Sequence, residues 1–220
     1  MFIYIISKYL IQINCNLIFF VIINLVYKVK GFYMIYRPII IDEEIKFSKK
    51  KFIVSKTDLK GKIIFTNKNF SEISGYTEAE LVGEPHNILR HPDMPRAVFF
   101  LVWKTLLAGN SISGVVKNLA RDGRYYWVIA DLEAKKDLNG NITALTAFRR
   151  AAPQDVIDTT EELYATMLAI EKKHGMEKSL AYLEAFLEES NLTYNEFIEE
   201  LIKPKGIIAV LLNTFKRMLR

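Results

Sequence analysis

The stretch Ile112–Arg150, ISGVVKNLARDGRYYWVIADLEAKKDLNGNITALTAFRR, decides the fold. Its apolar and β-branched residues fall in runs at Ile112–Ala120, Tyr125–Ala134 and Ile142–Arg149. Between them stand Asp122-Gly123 and Asn139-Gly140. These dipeptides tolerate the positive φ that tight hairpin turns require. The stretch therefore reads as a meander of three antiparallel strands.

Upstream, FIVSKTDLKGKIIFTN (Phe52–Asn67) holds β-rich runs at Phe52–Ser55 and Lys62–Thr66 around a polar turn ending in Gly61, which predicts a hairpin. KNFSEISGY follows, with Phe70, Ile73 and Tyr76 at helical spacing. In TEAELVG, Thr77 is placed to cap a helix, Glu80 holds the capping-box position and Gly83 stands just past the end. PRAVFFLVWKTLLAG predicts a longer helix ending at Gly109, apolar around most of its circumference and so substantially buried. The fold class expected is α+β, a five-stranded antiparallel sheet with short helices on one face.

Beyond Pro153 the chain looks helical to its end. ELYATMLAIEKKHG, EKSLAYLEAFLEES and TYNEFIEELIK each present an apolar face, with Gly175, Asn191 and Pro204 as punctuation. The last segment, GIIAVLLNTFKRMLR (Gly206–Arg220), suits packing against neighbouring helices, or an anionic membrane surface through Lys216, Arg217 and Arg220. At the other end, Tyr9–Tyr27 is uncharged and long enough to cross a bilayer, but Gln12, Asn14, Asn16 and Asn24 interrupt it. It fits a membrane anchor or a start-site artefact, with Met34 then the first residue. The divisions expected are 1–33 (apolar segment), 34–51 (linker), 52–152 (α+β domain) and 153–220 (helical region).

Composition narrows the function classes. The chain has 220 residues, is 50% hydrophobic and 25% charged, and carries a net charge of +5. Its lysines are scattered and form no groove with stacking aromatics, which argues against nucleic-acid binding. The sole cysteine, Cys15, rules out a disulfide framework and a Cys-based zinc site.

Gly83–Pro95, GEPHNILRHPDMP, holds two of the three histidines, His86 and His91. They are five positions apart on a proline-broken segment, not at the spacing that aligns two metal ligands on one helix face. Acid–base chemistry finds His and Asp here but no nucleophile elbow, phosphate loop or paired acid. The plain structural alternative is a loop whose Arg90 and Asp93 cap helices and pair with each other, Asp93 capping the helix that follows. The residues alone leave these readings open.

SGYTEAELVGEPHNILRHPDMPRAVF, then VWKTLLAG, GVVKN and DGRYYWV, resembles the PAS domain of the aerotaxis-receptor family from about Phe52 to Arg150. The RHPDMP part is specific to that family, whereas GYT…ELVG is shared by PAS domains at large. The resemblance implies a PAS fold in 52–152, non-covalently bound FAD, and a redox or oxygen sensor rather than an enzyme. It places His86, Asn87, Arg90, His91, Asp93, Trp103 and Asn118 at the cofactor. Arg90, His91, Asp93 and Asn118 are the ones expected to retain it. Arg90 would neutralise pyrophosphate. Asn118 would offer donor and acceptor to the isoalloxazine edge. Trp103 and Trp127 could stack on a ring, or be plain core and a cover for the sheet's other face. The chain departs from the family at Ile112, where a Trp is usual, and at Leu119 and Ala120, where a basic pair is usual.

The resemblance also implies energy-taxis signalling through a separate chemotaxis transducer or other signalling protein. PAS domains often form homodimers. The location implied is cytoplasmic, with inner-membrane contact through residues 9–27 or the basic terminal helix. The alternatives are a haem sensor with His86 or His91 as axial ligand, or a cofactor-free interaction module. A light-driven flavin–cysteine adduct is disfavoured because Cys15 lies outside the domain.

Overall fold

The computed structural model describes residues 37–203. The expectations on Tyr9–Tyr27, Cys15, Met34 and Gly206–Arg220 lie outside the described residues. The order of elements is β1 (Ile53–Thr57), β2 (Ile63–Thr66), α1 (Lys68–Ser74), α2 (Glu78–Leu81), a short 3-10 turn (His86–Leu89), α3 (Arg96–Leu107), β3 (Ile112–Leu119), β4 (Tyr125–Lys136) and β5 (Ile142–Ala151). Three helices follow, α4 (Gln154–His174), α5 (Met176–Glu189) and α6 (Tyr194–Ile202). All strand pairs are antiparallel, and the sheet order is β2-β1-β5-β4-β3. This is the α+β architecture expected, with strand ends within about two residues of the sequence reading, as boundaries usually are.

Local chemistry explains the short helices. Asn67 caps α1, its side chain accepting from Phe70 N, and the same oxygen accepts from Val54 N, which ties the helix to β1. Thr77 and Glu80 form the reciprocal capping box of α2. Phe70, Ile73 and Leu81 turn into the core. The expected cap at Asp93 is not made. Pro95 is the N-cap residue of α3 and gives no side-chain bond, and the Glu171 carboxylate accepts from Arg96 N instead, at 2.9 and 3.1 Å. An acid brought in from α4 has replaced the local one.

Both edges of the sheet are closed, which blunts pairing with other chains. Along β2, Ile63 N donates to Glu84 O (2.9 Å) and His86 N to Gly61 O (2.9 Å), so the segment before the 3-10 turn runs beside the strand. Along β3, Asn195 Oδ1 accepts from Ser113 N (3.0 Å), the Tyr164 hydroxyl donates to Val115 O (2.8 Å) and Met94 Sδ accepts from Lys117 N (3.2 Å). The apolar faces of α4–α6 join α3, β3 and Trp127 in one cluster that includes Leu163, Met167, Leu183, Phe186 and Phe197.

Residues 38–47, within the stretch expected to be linker, are fastened to the start of β4. Ile41 N donates to Gly123 O (2.7 Å), Tyr125 N to Glu43 O (3.0 Å) and Ile45 N to Tyr125 O (2.7 Å). The fit at the turn admits only glycine. Gly123 has φ +95°, and a Cβ there would lie 1.9 Å from Ile39 O. Gly123→Ala should therefore cost more than about 1 kcal/mol and release this segment. Urea unfolding with amide exchange at Ile41, Ile45 and Tyr125 checks this: the expected result is lower stability with faster exchange at those amides.

Candidate ligand-binding site

Between the sheet and the short helices lies a cavity of about 400 Å³. The strand pleat sends alternate side chains to each face. Ser55 and Thr57 of β1, Gly114, Val116 and Asn118 of β3, Ala130 and Leu132 of β4, and Leu145, Ala147 and Arg149 of β5 face it. Helix α3 supplies the apolar roof through Val98, Phe99, Val102, Trp103 and Leu106. The Trp103 ring is seated over Gly61, where a Cβ would come within 3.0 Å of it. Gly61 also has φ +79°, so both the turn and the approach of the indole need glycine there.

Of the residues expected at a cofactor, His86, Asn87, Arg90, Trp103 and Asn118 line this cavity. Asn118 is 4% exposed, and its Nδ2 has no partner. A buried amide nitrogen left in this way costs about 1–3 kcal/mol. Arg90 is half-buried, donates to Met94 O (2.7 Å) and lies 4.9 Å over the Phe99 ring. Asp93, which the structural alternative paired with Arg90, meets Lys117.

His91 and Asp93 are not among the lining residues. They join Lys117, which the pleat turns to the face opposite Asn118. The Lys117 ammonium meets Asp93 Oδ2 at 2.8 Å and Glu161 of α4 at 3.5 Å, and lies 4.3 Å from the Tyr125 ring and 5.6 Å from the Trp127 ring. Burial works to lower the Lys117 pKa, but the hydrogen bond and charge of Asp93, with Glu161, outweigh it and hold it above the usual value. His91 is 3% exposed and packs edge-on against Tyr125. Its Nδ1 accepts from Asp93 N (3.1 Å), and burial pushes its pKa down despite the Asp93 charge. Trp127 lies on this opposite face, as a cover for the sheet. Ile112, Leu119 and Ala120, the departures from the family pattern, are buried outside the cavity lining.

The sequence reading missed Arg149. Its Nη1 donates to Ser55 Oγ (2.9 Å) and its Nη2 to His86 Nε2 (3.0 Å). Burial pulls its pKa down to about 10, so it remains charged at neutral pH. Strand alternation carried the signal, since Leu145, Ala147 and Arg149 share one face of β5. His86 is half-buried, and its desolvation together with the Arg149 charge pushes its pKa down to about 3. It is therefore neutral, with Nε2 as acceptor. Such walls fit an aromatic ring with a polar edge: aliphatic and aromatic sides, one open donor at Asn118 and one buried cation.

The family model for the PAS fold matches residues 63–149, from β2 to β5. Residues 63–149 form a PAS domain. The chain is 38% identical to the aerotaxis receptor of Escherichia coli (strain K12) over 135 residues, 61% of this chain and 26% of that protein. It is 27% identical to the biofilm dispersion protein BdlA of Pseudomonas aeruginosa over 140 residues, 63% of this chain and 32% of that one. The resemblance read from RHPDMP and its flanks is thus borne out. The PAS domain and its flanks match about a quarter of the receptor's length. A solved structure, "Flavin Analogue Sheds Light on Light-Oxygen-Voltage Domain Mechanism", aligns with a TM-score of 0.46 and 21% identity over 50% of this chain and 83% of that one. Among the described residues, no helix is long and apolar enough to cross a membrane.

The depressed His86 pKa predicts the pH response of the PAS domain. Folded His86 stays neutral down to about pH 3, whereas an unfolded His binds a proton near pH ~6.5. The unfolded chain then holds more protons between those values, so stability falls as pH falls through that window, by at most about 1.4 kcal/mol per pH unit for this group. His86→Gln keeps an acceptor for Arg149 and should flatten that slope in urea titrations. An identical slope would assign the pH response to other groups.

Proposed function

We propose that this PAS domain binds FAD non-covalently and reports redox or oxygen status in aerotaxis- or energy-taxis-type signalling, through a separate transducer. The observation that carries this is the unpartnered Asn118 Nδ2 in an apolar, partly aromatic cavity. The similarity to the aerotaxis receptor supports it. Asn118 and Arg149 would address the polar edge of the ring, Trp103 and Phe99 its faces, and the half-buried Arg90 a pyrophosphate. His86 and Asn87 complete the wall. His91 and Asp93 would retain the ligand indirectly, by fixing the loop that carries Arg90. A flavin held there supplies a reversible redox centre.

What the chain does with it follows from β3. Asn118, with its open Nδ2, would exchange hydrogen-bond partners if charge or proton count at the ligand edge changed. Lys117, its neighbour in sequence, faces the other way and contacts Glu161 of α4. A shift of this strand therefore reaches the C-terminal helices, the surface offered to a transducer. The haem alternative loses support, because His86 Nε2 is taken by Arg149 and His91 lies away from the cavity.

Titration with FAD tests the reading through fluorescence quenching. Wild-type protein should bind, and Asn118→Ala should bind roughly tenfold more weakly, the loss of one buried hydrogen bond. Equal binding would remove Asn118 from the site. At saturating FAD, Lys117→Met should lose any difference in amide exchange of α4 between the oxidised and reduced forms. A retained difference would place the output elsewhere.

A further inference from the structure

Helix α3 serves two neighbours. Val98, Val102 and Leu106 line the cavity, and the same three belong to the core cluster with Met167 of α4 and Leu183 and Phe186 of α5. The cavity and the C-terminal helices therefore share one wall. The middle of that wall is seated by the Trp103 ring over Gly61. Its first turn has no local cap, since Pro95 gives no side-chain bond and Asp93 meets Lys117. The Glu171 carboxylate supplies the cap from seventy-five positions away, both oxygens accepting from Arg96 N. The Glu171 side chain is 8% exposed, against 20% or more for every other carboxylate in an ion pair among the described residues. Burying a carboxylate this far costs desolvation free energy that its contacts must offset. Those contacts are the Arg96 amide, the positive end of α3 and the Arg96 guanidinium at 3.9 Å. All of them lie at the start of the cavity roof.

We infer that Glu171 is a positioning residue for the ligand site: by capping α3 from α4 it sets where the cavity roof stands, so that occupation of the cavity and docking of the C-terminal helices favour each other. This deepens the flavin reading and rests on it. It adds a contact between cavity and helices at α3, separate from the one that Lys117 makes with Glu161 at β3. The two contacts fall on different parts of α4, Glu161 in its first half and Glu171 in its last turn. A ligand that fills the space under Val98, Phe99 and Trp103 holds the roof where Glu171 holds it. By linkage, the cap then strengthens ligand binding by the same factor as the ligand strengthens the cap.

The test uses the full chain with FAD as the probe, and affinity is read where thermal melting shows each variant to be fully folded. Glu171→Leu removes the acceptor. Arg96→Pro removes the donor, at a first helical position that accepts proline. Each single variant should bind FAD about tenfold more weakly than the wild type, and the double variant no more weakly than either, because both remove the same contact. In the wild type, FAD should slow amide exchange at Arg96 and in the last turn of α4 about tenfold. In Glu171→Leu at saturating FAD, the last turn of α4 should no longer respond. Wild-type affinity in the folded single variants, losses that multiply in the double variant, or an α4 response that survives Glu171→Leu would overturn the inference. Should the variants not fold, the wild type still decides: unchanged exchange at Arg96 and in the last turn of α4 on saturation with FAD overturns it. Absence of FAD binding by the wild type removes the flavin reading, and this inference with it, and is seen before any variant is made.

Discussion

The attachment of the loop Arg90–Met94 to the outer edge of β3 is the contact on which the rest of the structure depends. Arg90 bridges Asn118 through the backbone, and Met94 Sδ accepts from Lys117 N. Proline at 92 and 95 prevents this loop from continuing as helix, so its polar groups are free to serve the strand. On one side the loop sets Arg90 at the cavity. On the other it gives Asp93 to the Lys117 ammonium. The edge strand is therefore covered, and a single strand divides the cavity from a helical surface.

Two buried cations of this PAS domain show what the fold asks of charge. Lys117 has Asp93 and Glu161, and aromatic rings besides. Its charge is compensated within the protein, so it serves to connect the loop, β3 and α4. Among the described residues, the hydrogen-bond partners of Arg149 are neutral. The same low-dielectric surroundings that make Lys117 a fastener leave Arg149 held by neutral contacts at the cavity wall. The neighbouring positions Asn118 and Lys117 turn one side chain toward the cavity and the next toward the helices.

Much of this was legible in the sequence wherever the determinant is local. Asp122-Gly123 and Asn139-Gly140 fixed the meander, Thr77 and Glu80 the capping box of α2, and Gly175 the break between α4 and α5. Asn118 and Trp103, named by the resemblance, line the cavity. What stayed hidden depends on long-range encounters. Asp93 carries a good capping side chain, but Lys117, twenty-four positions on, competes for it, and Glu171 takes the cap. The attachment of residues 38–47 is backbone pairing, which leaves little side-chain pattern. Arg149 has an ordinary place in a β-rich run, and its burial beside Ser55 and His86 is visible only in three dimensions.

The central claim is that the PAS cavity holds FAD. Mass spectrometry of the small molecules released by heat from folded, freshly purified protein tests it most directly. The account predicts FAD in an amount close to that of the protein. Haem, or the absence of any flavin in protein that also takes none up from solution, would contradict it.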